Sequence, residues 1–251
     1  GTTRLYRLIL YDAVWSRKML DLEFMVEILP KFQTPLLFTL KVMVFSILLS
    51  ILVSIPVSVV RINRTPVLSQ IFDLWLSFIR SIPGLLELFI AYFVLPSVLE
   101  EFGISTEDWS NETYVYIALV FHYAPYLSEV FRPAYLAVDK GQYEAGAVVG
   151  MTGLSIATRI TIPQVMAIAL PQICSVFIDT LKDTSLLFTI GVIDLMGRAQ
   201  AIVSDSYGLH KIETYITVAI IYLIITFVIS RLFSALEKRF DRMQLSSGIK
   251  R

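Results

Sequence analysis

Apolar residues run along this chain in long, nearly unbroken blocks, without the strict alternation of a strand or the one-sided stripe of a water-facing helix. Val42 to Val60 is nineteen residues without a charge and Thr214 to Ser230 another seventeen, each close to the roughly 20 residues a helix needs to cross a bilayer core. Three further blocks emerge once isolated charges are admitted: Val67 to Leu99, Tyr114 to Ala137, and Ile162 to Ile178 continuing toward Leu186. The pattern predicts an all-α integral membrane protein with five transmembrane helices. Leu5, Leu8 and Ile9 share one face of an interfacial amphipathic helix before the first block. The apolar stretch there is short and lacks a small-residue exit, which argues against a cleavable signal.

Composition agrees: 56% of the 251 residues are hydrophobic and only 17% charged, below the roughly 25% of soluble domains, with a mean hydropathy of +0.70. The charges cancel, 21 basic against 21 acidic, so no global basic field points to nucleic acid. Their distribution is informative, because basic residues collect on the cytoplasmic side of short loops. Arg61-Ile62-Asn63-Arg64 and the tail after the fifth block are basic, whereas Glu100 to Glu112 carries five acids and no base. Five alternating spans reconcile these segments, with the amino terminus outside and both the Arg132 to Arg159 loop and the carboxy terminus cytoplasmic. The lone cysteine, Cys174, excludes an intrachain disulfide and reads as a small buried hydrophobe.

A charge at mid-bilayer costs about 2.5 to 3.5 kcal/mol on insertion scales and therefore tends to face a bundle interior or a wet cavity. Asp73, Arg80 and Glu87 are seven apart and fall on one slowly drifting stripe of an unbroken helix. Ser81-Ile82-Pro83-Gly84 lies within it, and Pro83 removes a backbone hydrogen bond and clashes with the preceding turn, predicting a break. Broken membrane helices can aim half-helix ends at a substrate; an Arg80–Glu87 ion pair across a structural kink is the alternative. The third block sets His122, Tyr126 and Glu129 on one face, suited to a zwitterion, with Pro125 as a second kink. His122 can equally be a packed aromatic, and Arg132 can snorkel to the interface. Asp179 and Lys182, in the run continuing through Asp183 and Thr184, are spaced for an internal ion pair.

No catalytic or metal-binding constellation is present: two histidines, no HExxH, no CxxC and no phosphate loop. The most specific stretch is Gly141 to Pro163. It reads as a short helix through Gln142 and Glu144 stopped by Gly150, a second short helix after Met151, and Pro163 near the start of the fourth span. Its small residues, Ala145, Gly146 and Ala147, permit close approach by another surface, although a stiff connector would look the same.

This segment resembles the EAA loop of permease subunits of ABC importers: Glu144-Ala145-Gly146, three residues, Gly150, nine residues, Ile160-Thr161-Ile162-Pro163. Gly146 stands in place of the second alanine and Ile162 in place of leucine. Arg80-Ser81-Ile82-Pro83-Gly84-Leu85 is similar to the Arg-Gly-Thr-Pro-Leu-Leu signature of the polar amino acid subgroup. Tyr126 to Arg132 matches its Tyr-x-x-Glu-x-x-Arg segment, and Leu181 to Leu186 the run after span four. The resemblance implies a type I importer fold from about Pro30 onward, with a coupling helix near 139–162 that docks on the ATPase, in a permease domain over 34–234. An amino-terminal segment 1–33 and a cytoplasmic tail 235–251 flank it. It also implies a second permease chain, a dimer of ABC ATPase subunits that bind ATP and magnesium, and an extracytoplasmic amino acid-binding protein. This chain itself would hold no cofactor. Arg80 and Glu129 would border the substrate path; Ser175 and Glu87 depart from the subgroup pattern. Val138-Asp139-Lys140 and the Asp183 to Gly197 region look most like cystine-type members. An intramembrane enzyme using Glu129, His122 or Asp179, or a purely structural membrane subunit, are the other readings.

Overall fold

The computed structural model of the chain describes residues 20–246, with side chains for 20–240; the amphipathic helix expected around Leu5, Leu8 and Ile9 lies outside the described residues. Among these residues there are helices and no strands. Asp21 caps α1 (Leu22–Ile28), its carboxylate accepting from Phe24 N at 3.0 Å. A 3-10 turn (Leu29–Phe32) leads into α2 (Gln33–Ile62). There follow α3 (Leu68–Ser81), α4 (Gly84–Phe89), a π turn (Ile90–Val94), α5 (Leu95–Glu101) and α6 (Asn111–Leu136). After α7 (Lys140–Val148) and α8 (Gly153–Ile156), a π turn (Ala157–Thr161) enters α9 (Ile162–Asp183). A 3-10 segment (Thr184–Ile190), α10 (Leu195–Asp205) and α11 (Lys211–Ser246) complete the described residues. Each π turn immediately precedes a proline-containing turn, at Pro96 and Pro163. The widened turn accommodates a ring that would otherwise strike the carbonyl four residues back.

Leu22–Ile62, Gly153–Ile190 and Lys211–Phe240 are long and apolar enough to cross a membrane, and a fourth crossing is added if α3 and Gly84–Glu101 count as one bent span. The helix expected as the third span, α6, has 26 residues and so reaches about 39 Å at 1.5 Å per residue. It falls outside that apolar set because its tyrosines and prolines, together with Glu112, His122, Glu129 and Arg132, hold its mean hydropathy down. Its buried face, from Tyr114 and Val115 to Ser128 and Ala134, is shielded by the helices around it. The expected 33/34 boundary falls one residue after the 3-10 turn gives way to α2, and α11 runs on past the one expected at 234/235.

Within lipid the drive for helix association is close packing and not escape from water, so small residues mark the tight seams. Ser46, Ser50, Ser54 and Ser58 line one face of α2, all at most 4% exposed. Ser50 and Ser58 donate back to the carbonyls four residues earlier at 2.7 Å, which satisfies a hydroxyl where no water is available. This seam receives α6: Ser58 Oγ also lies 3.3 Å from the Ser128 carbonyl, and at the other end Lys41 Nζ donates to Glu112 at 2.7 Å. Residues 41 and 58 therefore meet 112 and 128 in the same order, and α2 and α6 run parallel. By contrast α9 and α11 are antiparallel, with Phe177 on Phe233 at 5.1 Å between ring centroids and the α10 cap Asp194 on Tyr222 at 3.3 Å. The main core joins α2, α4, α6, α9 and the 3-10 segment through Val42, Leu88, Val115, Leu127, Ile173 and Leu187.

Candidate functional site

The expected break lies at Ile82-Pro83. Both are extended (φ −119°, ψ 149° and φ −63°, ψ 136°), as sterics require of a residue before proline, and the chain turns by 111° between the two arms. Ser81 Oγ donates to the Ser77 carbonyl at 2.6 Å and finishes the first arm. A bend this large dissolves the stripe expected from the seven-residue spacing: Arg80 ends one arm and Glu87 sits on the other. No Arg80–Glu87 ion pair forms; Glu87 instead pairs with His122.

Arg80 opens onto a cavity of about 620 Å³ whose lining includes Leu76 from α3, Tyr126, Glu129 and Ala134 from α6, and Ala169 and Gln172 from α9. Three residues expected on the substrate path, Arg80, Tyr126 and Glu129, are thus brought to one space. Arg80 forms no ion pair among the described residues. Glu129 is held from behind by Arg61, whose Nη2 is 2.7 Å from Glu129 Oε2, while Nε reaches Asp73 Oδ1 at 2.8 Å and Nη1 reaches Ser128 Oγ at 2.9 Å. The Arg61 side chain is only 6% exposed. Burial without partners would cost several kcal/mol per ion; the guanidinium instead donates to Asp73 and Ser128 and pairs with the Glu129 charge.

Arg61 was expected in a loop, as one of two cytoplasmic arginines. It is a helix residue turned inward, so that turn contributes Arg64 alone as a loop charge. A signal was available: the serine face of α2 continues from Ser58 to position 61, three residues on. Gln172, Leu76 and Ala169 are further lining residues absent from the sequence reading.

A second polar cluster lies on the far arm. Glu87, 4% exposed, meets His122 Nδ1 at 2.9 Å. His122 packs edge-on to Tyr123 (4.7 Å) and tilted on Tyr126 (5.2 Å), and Tyr123 donates to Asp183 Oδ2 at 2.5 Å. Glu87, His122 and Asp183 border a void of about 20 Å³, room for one water. The remaining expected path residues are elsewhere. Asp179 and Lys182 form an exposed pair at 3.0 Å, Thr184 is buried and donates to the Leu181 carbonyl, and Ser175 is exposed with its hydroxyl 3.4 Å from the Pro171 carbonyl. None of the four lines the Arg80 cavity.

The loop between α6 and α9 is a two-helix projection. Asp139 caps α7 through Gly141 N at 2.8 Å. Gly150 ends it at φ +81°, with Met151 N on the Gly146 carbonyl and Gly150 N on the Ala147 carbonyl, both at 3.0 Å. This is the paired closure that a left-handed residue after a helix allows. Thr152 then caps α8. Two expected docking residues face inward: Gly146 is buried against Ile156 and Ile160, and the Gln142 carboxamide accepts from Gln164 at 2.6 Å. Close approach at Gly146 is therefore between the two arms of the loop, whereas Ala145 and Ala147 are exposed. Glu144, Ala145 and the strongly exposed Val148 (86%), Val149 (75%) and Leu154 (77%) form the outer face.

A parallel α2–α6 seam, a broken helix at the cavity and a projecting helix pair define the permease fold of type I ABC importers. The chain belongs to the binding-protein-dependent transport system inner membrane component family, which it matches over residues 46–242. It is 34% identical over 222 residues to the probable amino-acid ABC transporter permease protein PatM of Vibrio harveyi, covering 88% of this chain and 97% of that one. Identity to the L-cystine transport system permease protein TcyL of Bacillus subtilis is 30% over 227 residues, covering 90% and 94%. A solved structure described as an amino acid ABC transporter with histidines superposes with a TM-score of 0.73 at 29% identity, covering 88% of this chain and 99% of that chain. An inward-facing MetNI methionine ABC transporter shares the fold at 18% identity, with a TM-score of 0.64.

Proposed function

We propose that this chain is the permease subunit of an ATP-driven amino acid importer and that the Arg80–Glu129 cavity is part of its translocation path. The cavity carries the reading: a space of about 620 Å³ that presents one unpaired guanidinium and one carboxylate matches the two ends of a zwitterion. Arg80 takes the substrate carboxylate and Glu129 its ammonium through charge-assisted hydrogen bonds. Similarity to PatM and TcyL supports amino acids as the class, cystine among them. On this reading the chain crosses the membrane five times, with the amino terminus outside and the projection and carboxy terminus in the cytoplasm; the parallel α2–α6 seam supports that alternation. ATP closes two partner ATPases, the motion enters through Val148, Val149, Leu154 and Glu144, and a second permease chain completes the path facing the binding protein. Hydrolysis belongs to the ATPases, which hold the ATP and magnesium.

Thiol accessibility tests the path. In a Cys174→Ser background, Gln172→Cys should react with a water-soluble methanethiosulfonate reagent, uptake should fall with labelling, and amino acid should slow the reaction. A cysteine at Leu52, 67% exposed on the apolar side of α2, should show none of this. Labelling of Gln172→Cys without loss of uptake would remove the cavity from the path.

A further inference from the structure

Charge accounting around the cavity goes one step beyond the assignment of its two ends, and rests on that assignment. The charged residues lining the space are Arg80 and Glu129. Glu129 is not a free anion: Arg61, buried behind it, is 2.7 Å away. Arg61 is shared with Asp73 at 2.8 Å, so the four groups sum to zero with Arg80 the member left without a counterion. Other buried acids are committed elsewhere: Glu87 to His122 and Asp183 to Tyr123, around a separate void with room for one water, Asp194 to the first amides of α10 and Tyr222, and Glu213 to the Asp21 amide. The rest of the wall is apolar except for Tyr126 and Gln172.

A zwitterion placed across Arg80 and Glu129 leaves the total at zero. A side chain with a further positive charge finds no remaining carboxylate in this cavity, and it stands beside Arg80 and within reach of the field of Arg61. In surroundings of intermediate dielectric, one uncompensated charge about 4 Å from another is decisive for affinity. We infer that the cavity selects net-neutral amino acids over those with cationic side chains, and that Arg61 sets this preference as the counterion of Glu129. The volume suits such a ligand, because 620 Å³ falls within the roughly 300 to 1,000 Å³ of small-molecule sites. Arg61 touches no substrate; it is a positioning and charge-setting residue that acts through Glu129.

The test uses the full chain in nanodiscs without a binding protein, whose own selectivity would mask that of the cavity. Equilibrium dialysis with labelled glutamine, arginine and glutamate gives the affinity ratios. The native chain should favour glutamine over arginine. Arg61→Gln should raise the arginine-to-glutamine ratio by about tenfold, Arg61→Lys should restore most of the native preference, and Arg61→Gln with Glu129→Gln should lose the gained arginine binding. Should Arg61→Gln fail to fold, Glu129→Gln alone carries the test: Arg61 then faces the cavity with one counterion fewer, and the glutamate-to-glutamine ratio should rise. Equal native binding of arginine and glutamine, or ratios unmoved by these variants, would overturn the inference alone. Absence of binding by all three probes would overturn the cavity assignment as well.

Discussion

Gly146→Ala offers a sharp test of how the projection is built, because its effect should change sign with one neighbour. A methyl at this helical position gains about 1 kcal/mol of helix propensity over glycine. The Cβ would, however, sit 3.0 Å from Ile156 Cγ1 and 3.3 Å from its Cδ1. Ile156 is 1% exposed and stiff at χ1 because it is β-branched, so it cannot swing away. Overpacking of this kind costs about 1 to 3 kcal/mol, and the single variant is expected to be neutral to destabilising by about 2 kcal/mol. With Ile156→Ala in place the obstruction is gone, and Gly146→Ala should stabilise by about 1 kcal/mol. The assay is hydrogen exchange of the amides of α7 in the four members of the double-mutant cycle, where each 1.4 kcal/mol of opening free energy reads as about a tenfold rate. A coupling of about 1 to 3 kcal/mol is expected. An equal effect of Gly146→Ala in both backgrounds would refute the packing argument and leave the departure from Glu-Ala-Ala unexplained.

Other consequences are as direct. Gly150→Ala forces a side chain into φ +81° at a cost of about 1 to 2 kcal/mol, seen as faster exchange at Val149 to Met151, with Gly150→Asn milder. Asp194→Ala removes a carboxylate that accepts from Gly197 N at 2.8 Å and Met196 N at 3.1 Å and should destabilise α10 by about 1 to 2 kcal/mol, lowering the thermal midpoint in detergent. Val67→Gly should raise it, because a β-branched residue at φ 65° stores about 1 to 3 kcal/mol of strain.

What could be read in the sequence was what local chemistry enforces. Lipid leaves no choice about Val42 to Val60 or Thr214 to Ser230, and both lie within helices at those places. Pro83 could not continue α3, and Gly150 readily takes the left-handed conformation (φ +81°) that closes α7. The 111° between α3 and Gly84–Glu101 depends on what each arm packs against, so the stripe of Asp73, Arg80 and Glu87 failed: a helical period has meaning only along one axis. Arg61 shows the same limit from the other side. Its neighbours in sequence suggested a basic turn, whereas its role comes from Ser128 and Glu129, nearly 70 residues away in the chain, where the serine seam seats α6. Gly146 was legible as small, but the surface it approaches, Ile156, is set by the folding back of α8.

The central claim is that Arg80 faces the substrate, and uptake of labelled amino acid by cells carrying Arg80→Ala measures it most directly, with co-purification of the ATPase subunits as the control for assembly. Uptake should be lost while the complex still assembles, and Arg80→Lys should retain part of it. Unchanged uptake by Arg80→Ala would contradict the account and place the path elsewhere in the bundle.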